Sequence, residues 1–357
     1  MKKIDLPLLI TIIVLTLFGF LIVYDASSFI AYQAFKGDKY HFIKDQSIWM
    51  VLGLVGLFVL TFFDYHKFYN LSLPLLLLAI GLLIAVFIPG IGIQALGAHR
   101  WINMRFFTLQ PAEFVKLTLA IYLAAWFSNK EKGRFFSFLL LLGLVIFLVM
   151  LEPDMGTAII ILSEALLLYF LSGGNFLYLG AIAPIVVVFG FLLIRTSSYR
   201  AQRLATFLDP NNPLNPAHYH ITQILIALGS GGLTGVGIGN SLQKYSYLPE
   251  NTTDSIFAII AEEFGFIGST ILLICFLVIA WRGLYIAMRA KDTFGKLLAG
   301  GITAFLTMQI IINLGAQTVL FPLTGVPLPF ISYGGSALIV DLCAIGILLN
   351  IRKQSHI

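Results

Sequence analysis

Between Leu6 and Val23 the chain carries no charged side chain, and comparably apolar runs recur at about 47–63, 71–88, 110–127, 135–151, 156–172, 177–194, 255–281, 298–315 and 335–351. A helix needs roughly 20 apolar residues to cross the ~30 Å hydrocarbon core of a bilayer, so each run has about the length of one crossing. Charged residues make up 11% of the chain and apolar ones 59%, whereas a soluble domain is about a quarter charged. Such a chain cannot cover its own surface with polar groups, and membrane lipid is the solvent that removes the problem. The expected fold is an all-α polytopic membrane protein, a single integral membrane domain over residues 1–357 with about ten transmembrane helices. The first run exceeds the ~7–15 apolar residues of a cleavable signal core and reads as a retained first span.

In a membrane protein the net charge of +5 reflects the excess of Lys and Arg that holds loops in the cytoplasm. No basic helix, zinc finger or RNA-binding signature accompanies it, and nucleic acid is excluded as a partner. With ten spans and a cytoplasmic N-terminus, Lys2, Lys3, Lys67, Lys130, Lys132, Arg134, Arg282, Arg289, Lys291, Lys296, Arg352 and Lys353 fall inside, twelve of the 22 basic residues. Four of the other ten, Arg195, Arg200, Arg203 and Lys244, belong to one long segment or its edge. Long loops largely escape the rule, which leaves twelve against six in favour of both termini inside. That segment, a large extracytoplasmic loop at 196–253 between spans 7 and 8, holds no convincing span. Connections longer than ~12–15 residues without structure are usually functional. Cys275 and Cys343 lie in apolar runs and read as buried packing residues.

Five patches interrupt the apolar pattern. Gly97-Ala98-His99-Arg100-Trp101-Ile102 leads into Gln110-Pro111-Ala112-Glu113-Phe114-Val115-Lys116. Pro111 suits the first turn of a helix, which puts Glu113 and Lys116 on one face at the membrane edge. Either they neutralise each other as an intrahelical pair, or Arg100 and Lys116 attract an anionic headgroup while Glu113 orients one of them. Glu152-Pro153-Asp154-Met155-Gly156-Thr157 closes another span, with Asp154 capping the next helix or facing a ligand. The long loop brings Tyr199-Arg200, Arg203, Asp209-Pro210, Gln223 and a glycine-rich run from Gly229 to Gly239. Its GxGxG string follows no strand, so a dinucleotide site is excluded; flexible backbone offering N–H groups to an anion is the expectation.

Lys244 follows, and Tyr247 to Asp254 then run into the helix that begins near Ser255, with Glu262 and Glu263 about two turns deeper. Acids inside a span are functional candidates. Residues 254, 258 and 262 share a helical face, so Asp254 and Glu262 are expected to look into one cavity; helix capping by Asp254 is the alternative. The fifth patch, Pro322 to Ser336, holds three prolines and three glycines and cannot form a regular span. Irregular backbone at membrane depth needs shielding by protein or a wet cavity, so a re-entrant segment before span 10 is expected to roof a site. Ser332 lies within it, and Asn313 is placed to hydrogen-bond it.

GAHRWI…QPAEFVKL, EPDMGTA, the YR…DP…GSGGLTGVGIGNSLQKYSYLPENTTDSIFAIIAEEFG block and TGVPLPFISYGGS occur in this order over nearly the whole chain. Together they resemble the SEDS proteins (shape, elongation, division and sporulation). The spacing from Gly237 to Glu250 and the opening Val23 to Ser28 are more similar to the division and sporulation branch (FtsW, SpoVE) than to the elongation branch (RodA). The resemblance implies a peptidoglycan glycosyltransferase that polymerises lipid II, with inversion at the anomeric carbon, beside a class B penicillin-binding protein. Two positions depart from the family's habit. Thr252 stands where histidine is common, which argues against an obligatory histidine base there, and His99 stands where arginine is frequent, which removes one pyrophosphate contact.

On this reading Asp254 is the general base that activates a sugar hydroxyl, with Glu113 next in line. Arg100, Lys116, Arg200 and Arg203 stabilise the departing pyrophosphate. Asp154, Gln223, Lys244 and Ser332 complete the candidate binding set. No cofactor is indicated except a divalent cation compatible with that charge, and no dedicated carboxylate cage is visible in the sequence. A flippase for the same lipid needs a similar polar cavity and stands as the alternative.

Overall fold

The structure is a computed structural model and describes residues 4–95, 98–103, 108–129, 134–195, 197–210, 212 and 218–355. Lys2, Lys3, Lys130 and Lys132 of the charge count, Gly97 of the first patch, and positions 196, 211 and 213–217 of the long loop lie outside the described residues.

The chain forms α1 (Leu6–Ala34), α2 (His41–Phe62) and α3 (Lys67–Ala85), then a small sheet of β1 (Gly92–Ala95), β2 (Ala98–Asn103) and β3 (Thr108–Leu109). There follow α4 (Pro111–Ser128), α5 (Phe135–Leu151), α6 (Met155–Leu171), α7 (Phe176–Arg195), α8 (Ser198–Leu208), α9 (His218–Ser230), α10 (Ile256–Arg289), α11 (Thr293–Gln317) and α12 (Gly335–Gln354). Among the described residues seven helices, α1, α2, α3, α7, α10, α11 and α12, are long and apolar enough to cross a membrane. Helices α5 and α6 are apolar and 17 residues long, roughly 26 Å at 1.5 Å per residue. Helix α4 embeds Glu113 and Lys116 in an otherwise apolar sequence.

Helices α11 and α12 are buried almost all round and form the centre of the bundle. Around them α1, α2, α3 and α5 turn Leu17, Leu21, Phe58, Leu77 and Phe147 outward. Helices with apolar outer faces and internally satisfied backbones are the form a chain takes in lipid, and the protein is a multi-pass membrane protein.

Three features depart from the sequence expectation. The first is the antiparallel sheet, in which Gly92 pairs with Ile102, Ile93 with Trp101 and Ile102 with Leu109; it places Arg100 on β2. The second is a break in α10 at Gly265, whose φ of 65° and ψ of −162° are not helical. The carbonyls of Glu262 and Glu263 freed by this break accept from Val236 N and Gly237 N at 3.0 and 3.1 Å. On the other side, the Phe266 and Ile267 N–H groups donate to Gly232 O and Leu233 O at 2.9 and 3.1 Å. The glycine-rich run is thus the strap that completes the ladder of a broken membrane helix. A Cβ added at Gly235 would sit 2.0 Å from the Glu263 carbonyl oxygen, so the approach requires glycine. The run does present N–H groups to an anion, but the anion is the chain's own Glu263, whose Oε1 accepts from Gly239 N at 3.1 Å and Ser241 N at 3.2 Å. The third is that the long loop holds two helices, α8 and α9, rather than open coil.

The proline-rich segment between α11 and α12 is irregular, and Val326, Leu328, Phe330 and Ile331 in it are buried. Buried backbone must find partners, and side chains from other elements supply them. Gln309 Nε2 donates to Pro327 O at 3.1 Å, Asn313 Nδ2 to Val326 O at 2.7 Å, and Arg203 Nη1 to Leu323 O at 2.7 Å. Asn313 makes the bond its sequence position suggested.

Candidate functional site

Where α6, α8, α11 and the irregular segment converge lies a cavity of about 310 Å³. Its walls are largely apolar, with Ile159, Met308, Ile312 and Phe321 among them, and its charged lining residues are Arg100, Arg200 and Arg203. Arg200 and Arg203 are one turn apart on α8 and therefore share a face. Backbone carbonyls aim all three side chains. Arg100 Nε donates to Glu152 O at 2.8 Å and Nη2 to Pro153 O at 2.6 Å, while Arg200 Nη1 donates to Leu193 O at 3.1 Å. For Arg100 and Arg200 these carbonyls orient the guanidinium and leave its charge in place. Burial and the like charge of Arg100 lower the pKa of Arg200, a sign that the cations crowd one another. A recess of this kind stabilises an anion.

Asp254 lies half-buried in the turn before α10. A Cβ on Gly325 would be 3.9 Å from Asp254 Oδ2 and 4.0 Å from Arg203 Nη1, so carboxylate and guanidinium face each other across one glycine at the cavity edge. Gly325 has φ +74°, a conformation glycine adopts without penalty. Burial and the nearby Glu250 charge push the Asp254 carboxyl up to about 6 against the pull of Arg203. The turn is pinned by Asn313 Nδ2 to Asp254 O at 3.0 Å, Ser332 Oγ to Thr253 O at 2.5 Å, and Tyr333 N to Thr252 O at 2.8 Å. Asp254 makes no cap bond to α10; its oxygen Oδ1 accepts from Thr253 Oγ1 at 3.2 Å.

Several sequence candidates lie elsewhere. Lys116 does not face outward to a headgroup: it is fully buried within the protein, 2.7 Å from Glu113 Oε2 and 2.5 Å from Gln309 Oε1. A buried ammonium must be paired, and this one is committed to α4 and α11 rather than to a headgroup, while Glu113 is engaged as its partner. Lys244 Nζ lies 2.8 Å from Asp25 Oδ1 and 3.1 Å from Glu263 Oε1, clamping the strap to α1 and α10 outside the cavity lining. Glu262 does not share a cavity with Asp254, because α10 begins after Asp254 and Glu262 turns to the strap, bonding the Ser241 hydroxyl and Leu242 N.

Asp154 caps α6, accepting from Thr157 N at 3.0 Å, and receives Gln110 Nε2 at 3.1 Å. Ser332 accepts from Leu328 N at 2.8 Å and is a staple beside Asp254, and Gln223 is half-buried on α9 outside the cavity lining. Three residues with clear roles were not singled out from the sequence: Gln309, Gln317 and His220. Each is an uncharged polar residue in a helix with no neighbouring motif, so only its cross-helix partner reveals it. Glu152, beside Arg100, is fully buried, neither carboxyl oxygen finds a hydrogen-bond partner among the described residues, and burial pushes it up to about 9. Among the described residues no group of three or more His, Cys, Asp and Glu is placed to hold a metal ion.

Fold and site together define a multi-pass membrane protein with an arginine-lined recess and the raised carboxyl of Asp254 at its edge. The family model "Cell cycle protein" (FtsW, RodA, SpoVE) matches residues 6–357, and the chain belongs to that family. It is 38% identical over 356 residues to the probable peptidoglycan glycosyltransferase FtsW of Geobacter sp. (strain M18), covering 98% of this chain and 97% of that one. It is also 38% identical over 363 residues to stage V sporulation protein E of Bacillus subtilis (strain 168), covering 99% and 98%. Among solved structures, a chain from a peptidoglycan synthase complex described as coordinating polymerization and crosslinking superposes with a TM-score of 0.79 at 26% identity, covering 99% of both chains. The rod shape determining protein RodA of Thermus thermophilus superposes with a TM-score of 0.73 at 25% identity, covering 99% of this chain and 98% of that one.

Proposed function

We propose that this protein is a peptidoglycan polymerase that transfers the disaccharide-peptide of lipid II to a growing glycan strand on the outer face of the cytoplasmic membrane. The observation that carries the reading is the meeting of Asp254 and Arg203 across Gly325 at the edge of an apolar, arginine-lined cavity. An undecaprenyl pyrophosphate has this dual chemistry: the pyrophosphate suits the guanidinium forks, and the first isoprene units suit the apolar walls. Asp254 removes the proton from the attacking sugar hydroxyl. That hydroxyl displaces the pyrophosphate from the anomeric carbon with inversion, and Arg100, Arg200 and Arg203 stabilise the charge that accumulates on the leaving group. A class B penicillin-binding protein is the partner, as the likeness to a chain of a peptidoglycan synthase complex supports.

The decisive experiment supplies lipid II to the purified protein in detergent, with and without that partner. Polymer is expected. Transbilayer movement of lipid II in vesicles without polymer under either condition would overturn the reading in favour of a flippase. Arg203→Ala and Arg100→Ala are each expected to lower polymerisation about tenfold to a hundredfold, since a charge-assisted contact contributes about 1.5–3 kcal/mol. Full turnover in both variants would remove the arginines from the site.

The reading requires ten spans, both termini in the cytoplasm and residues 196–253 outside. A cysteine introduced at Asn212 is expected to react with an impermeant thiol reagent added from outside. Labelling from the cytoplasmic side alone would invert the topology and sink the mechanism with it.

A further inference from the structure

Ser255 occupies the N-cap of α10, where a serine hydroxyl ordinarily accepts from a backbone N–H two or three residues on. Here it does not. The Ala258 N–H that it would take is shared between Gln317 Oε1, reaching across from α11, at 2.8 Å and the Ser255 carbonyl at 3.1 Å. The released Ser255 hydroxyl, in a residue 1% exposed, lies 2.8 Å from Nε2 of His220 on α9. Burial and the Arg203 charge push the His220 imidazole down to about 4. The ring is therefore neutral wherever Asp254 is ionised and adds no charge beside that carboxylate. The contacts at Thr252, Thr253 and Asp254 described above come from α11 and the irregular segment, whereas His220 ties the same turn to α9.

We propose that His220 is a positioning residue for Asp254: through the Ser255 hydroxyl it fixes the α9 side of the turn, and so the direction in which the carboxylate faces Arg203 and the cavity. The inference rests on the reading of Asp254 as the base and adds to it a residue that does not touch substrate. The absence of the usual cap bond at Ser255 is the structural mark of this second duty, because the cap function has passed to Gln317.

Misplacing a reacting group by an ångström costs up to about a hundredfold in rate. His220→Ala is expected to lower kcat for lipid II polymerisation about tenfold while KM stays within about twofold, since binding groups are untouched. Ser255→Ala should give the same loss, and the double variant should be no slower than either, as for two residues acting through one bond. His220→Gln, whose amide offers a donor and an acceptor at similar reach, should recover about half of wild-type turnover.

Amide hydrogen exchange across residues 252–258 gives a readout that needs no substrate: faster in both alanine variants, unchanged in His220→Gln. Wild-type kcat in His220→Ala, losses that multiply in the double variant, or His220→Gln no better than alanine would each overturn the proposal. If His220→Ala does not fold, Ser255→Ala and His220→Gln decide the matter. Turnover of the wild type and its loss in Asp254→Asn test the base assignment separately, and the exchange result stands whichever way they fall.

Discussion

Asp254→Asn is expected to lower lipid II polymerisation by at least about a hundredfold, the lower end of what a positioned general base contributes, with the protein still folded and able to bind lipid II. The residue faces the arginine-lined recess yet makes no cap bond to α10. Its backbone carbonyl contact with Asn313 survives an amide side chain, so loss of activity reports on proton removal. The carboxyl is raised to about 6, so the base form is lost as pH falls through that value, and the rate should drop about tenfold per pH unit below it. The sign for stability follows from the same shift. A carboxyl raised in the folded state binds its proton more tightly there than when unfolded, so the contribution is lost as pH rises through about 6. Asp254→Asn should accordingly be no less stable than wild type at neutral pH. Asp254→Glu should recover little, because an added methylene displaces the carboxylate by about an ångström. Retention of more than about a tenth of wild-type turnover by Asp254→Asn would assign proton removal to another group.

The second large effect falls on folding rather than on turnover. Lys116→Met leaves the Glu113 carboxylate in a site that is 2% exposed, with its 2.7 Å partner gone and Gln309 Oε1 without its donor. Breaking a buried ion pair from one side destabilises by about 3–5 kcal/mol, a large share of an ordinary folding free energy of about 5–15 kcal/mol. Folded protein recovered from membranes should fall sharply. Glu113→Gln combined with Lys116→Met removes both charges, and replacing both members of a buried pair is often close to neutral. The double variant should therefore regain folded yield and near-normal polymerisation. Normal yield with lost activity in Lys116→Met, and no recovery in the double variant, would return the ammonium to a role in ligand binding.

The membrane character of the protein was legible in the chain because hydrophobic run length is a local property, and ten apolar runs became ten helices with bounds shifted by a few residues at most ends. The position of Asp254 at a loop-to-helix junction was legible for a similar reason: the change from polar loop to apolar helix is written in consecutive residues. Arg200 and Arg203 stood out in the sequence only as cations of the long loop; that they share one face of α8 came from the structure.

Only the tertiary structure decided how the remaining charges are used. Lys116, Lys244 and Glu262 look in sequence like free charges near a site. In the fold each is buried, and a buried charge takes whichever partner the packing supplies, from Gln309 across the bundle to Asp25 on α1. The run from Gly229 to Gly239 could not disclose that it braces a helix broken at Gly265, because its partners lie beyond it in the chain and the break is a backbone conformation rather than a residue type. Nor could Ser255 reveal that Gln317 takes over its capping bond and leaves its hydroxyl to His220. Run length and local charge are written in consecutive residues and so can be read from them, whereas the pairing of buried polar groups is settled by which helices lie side by side.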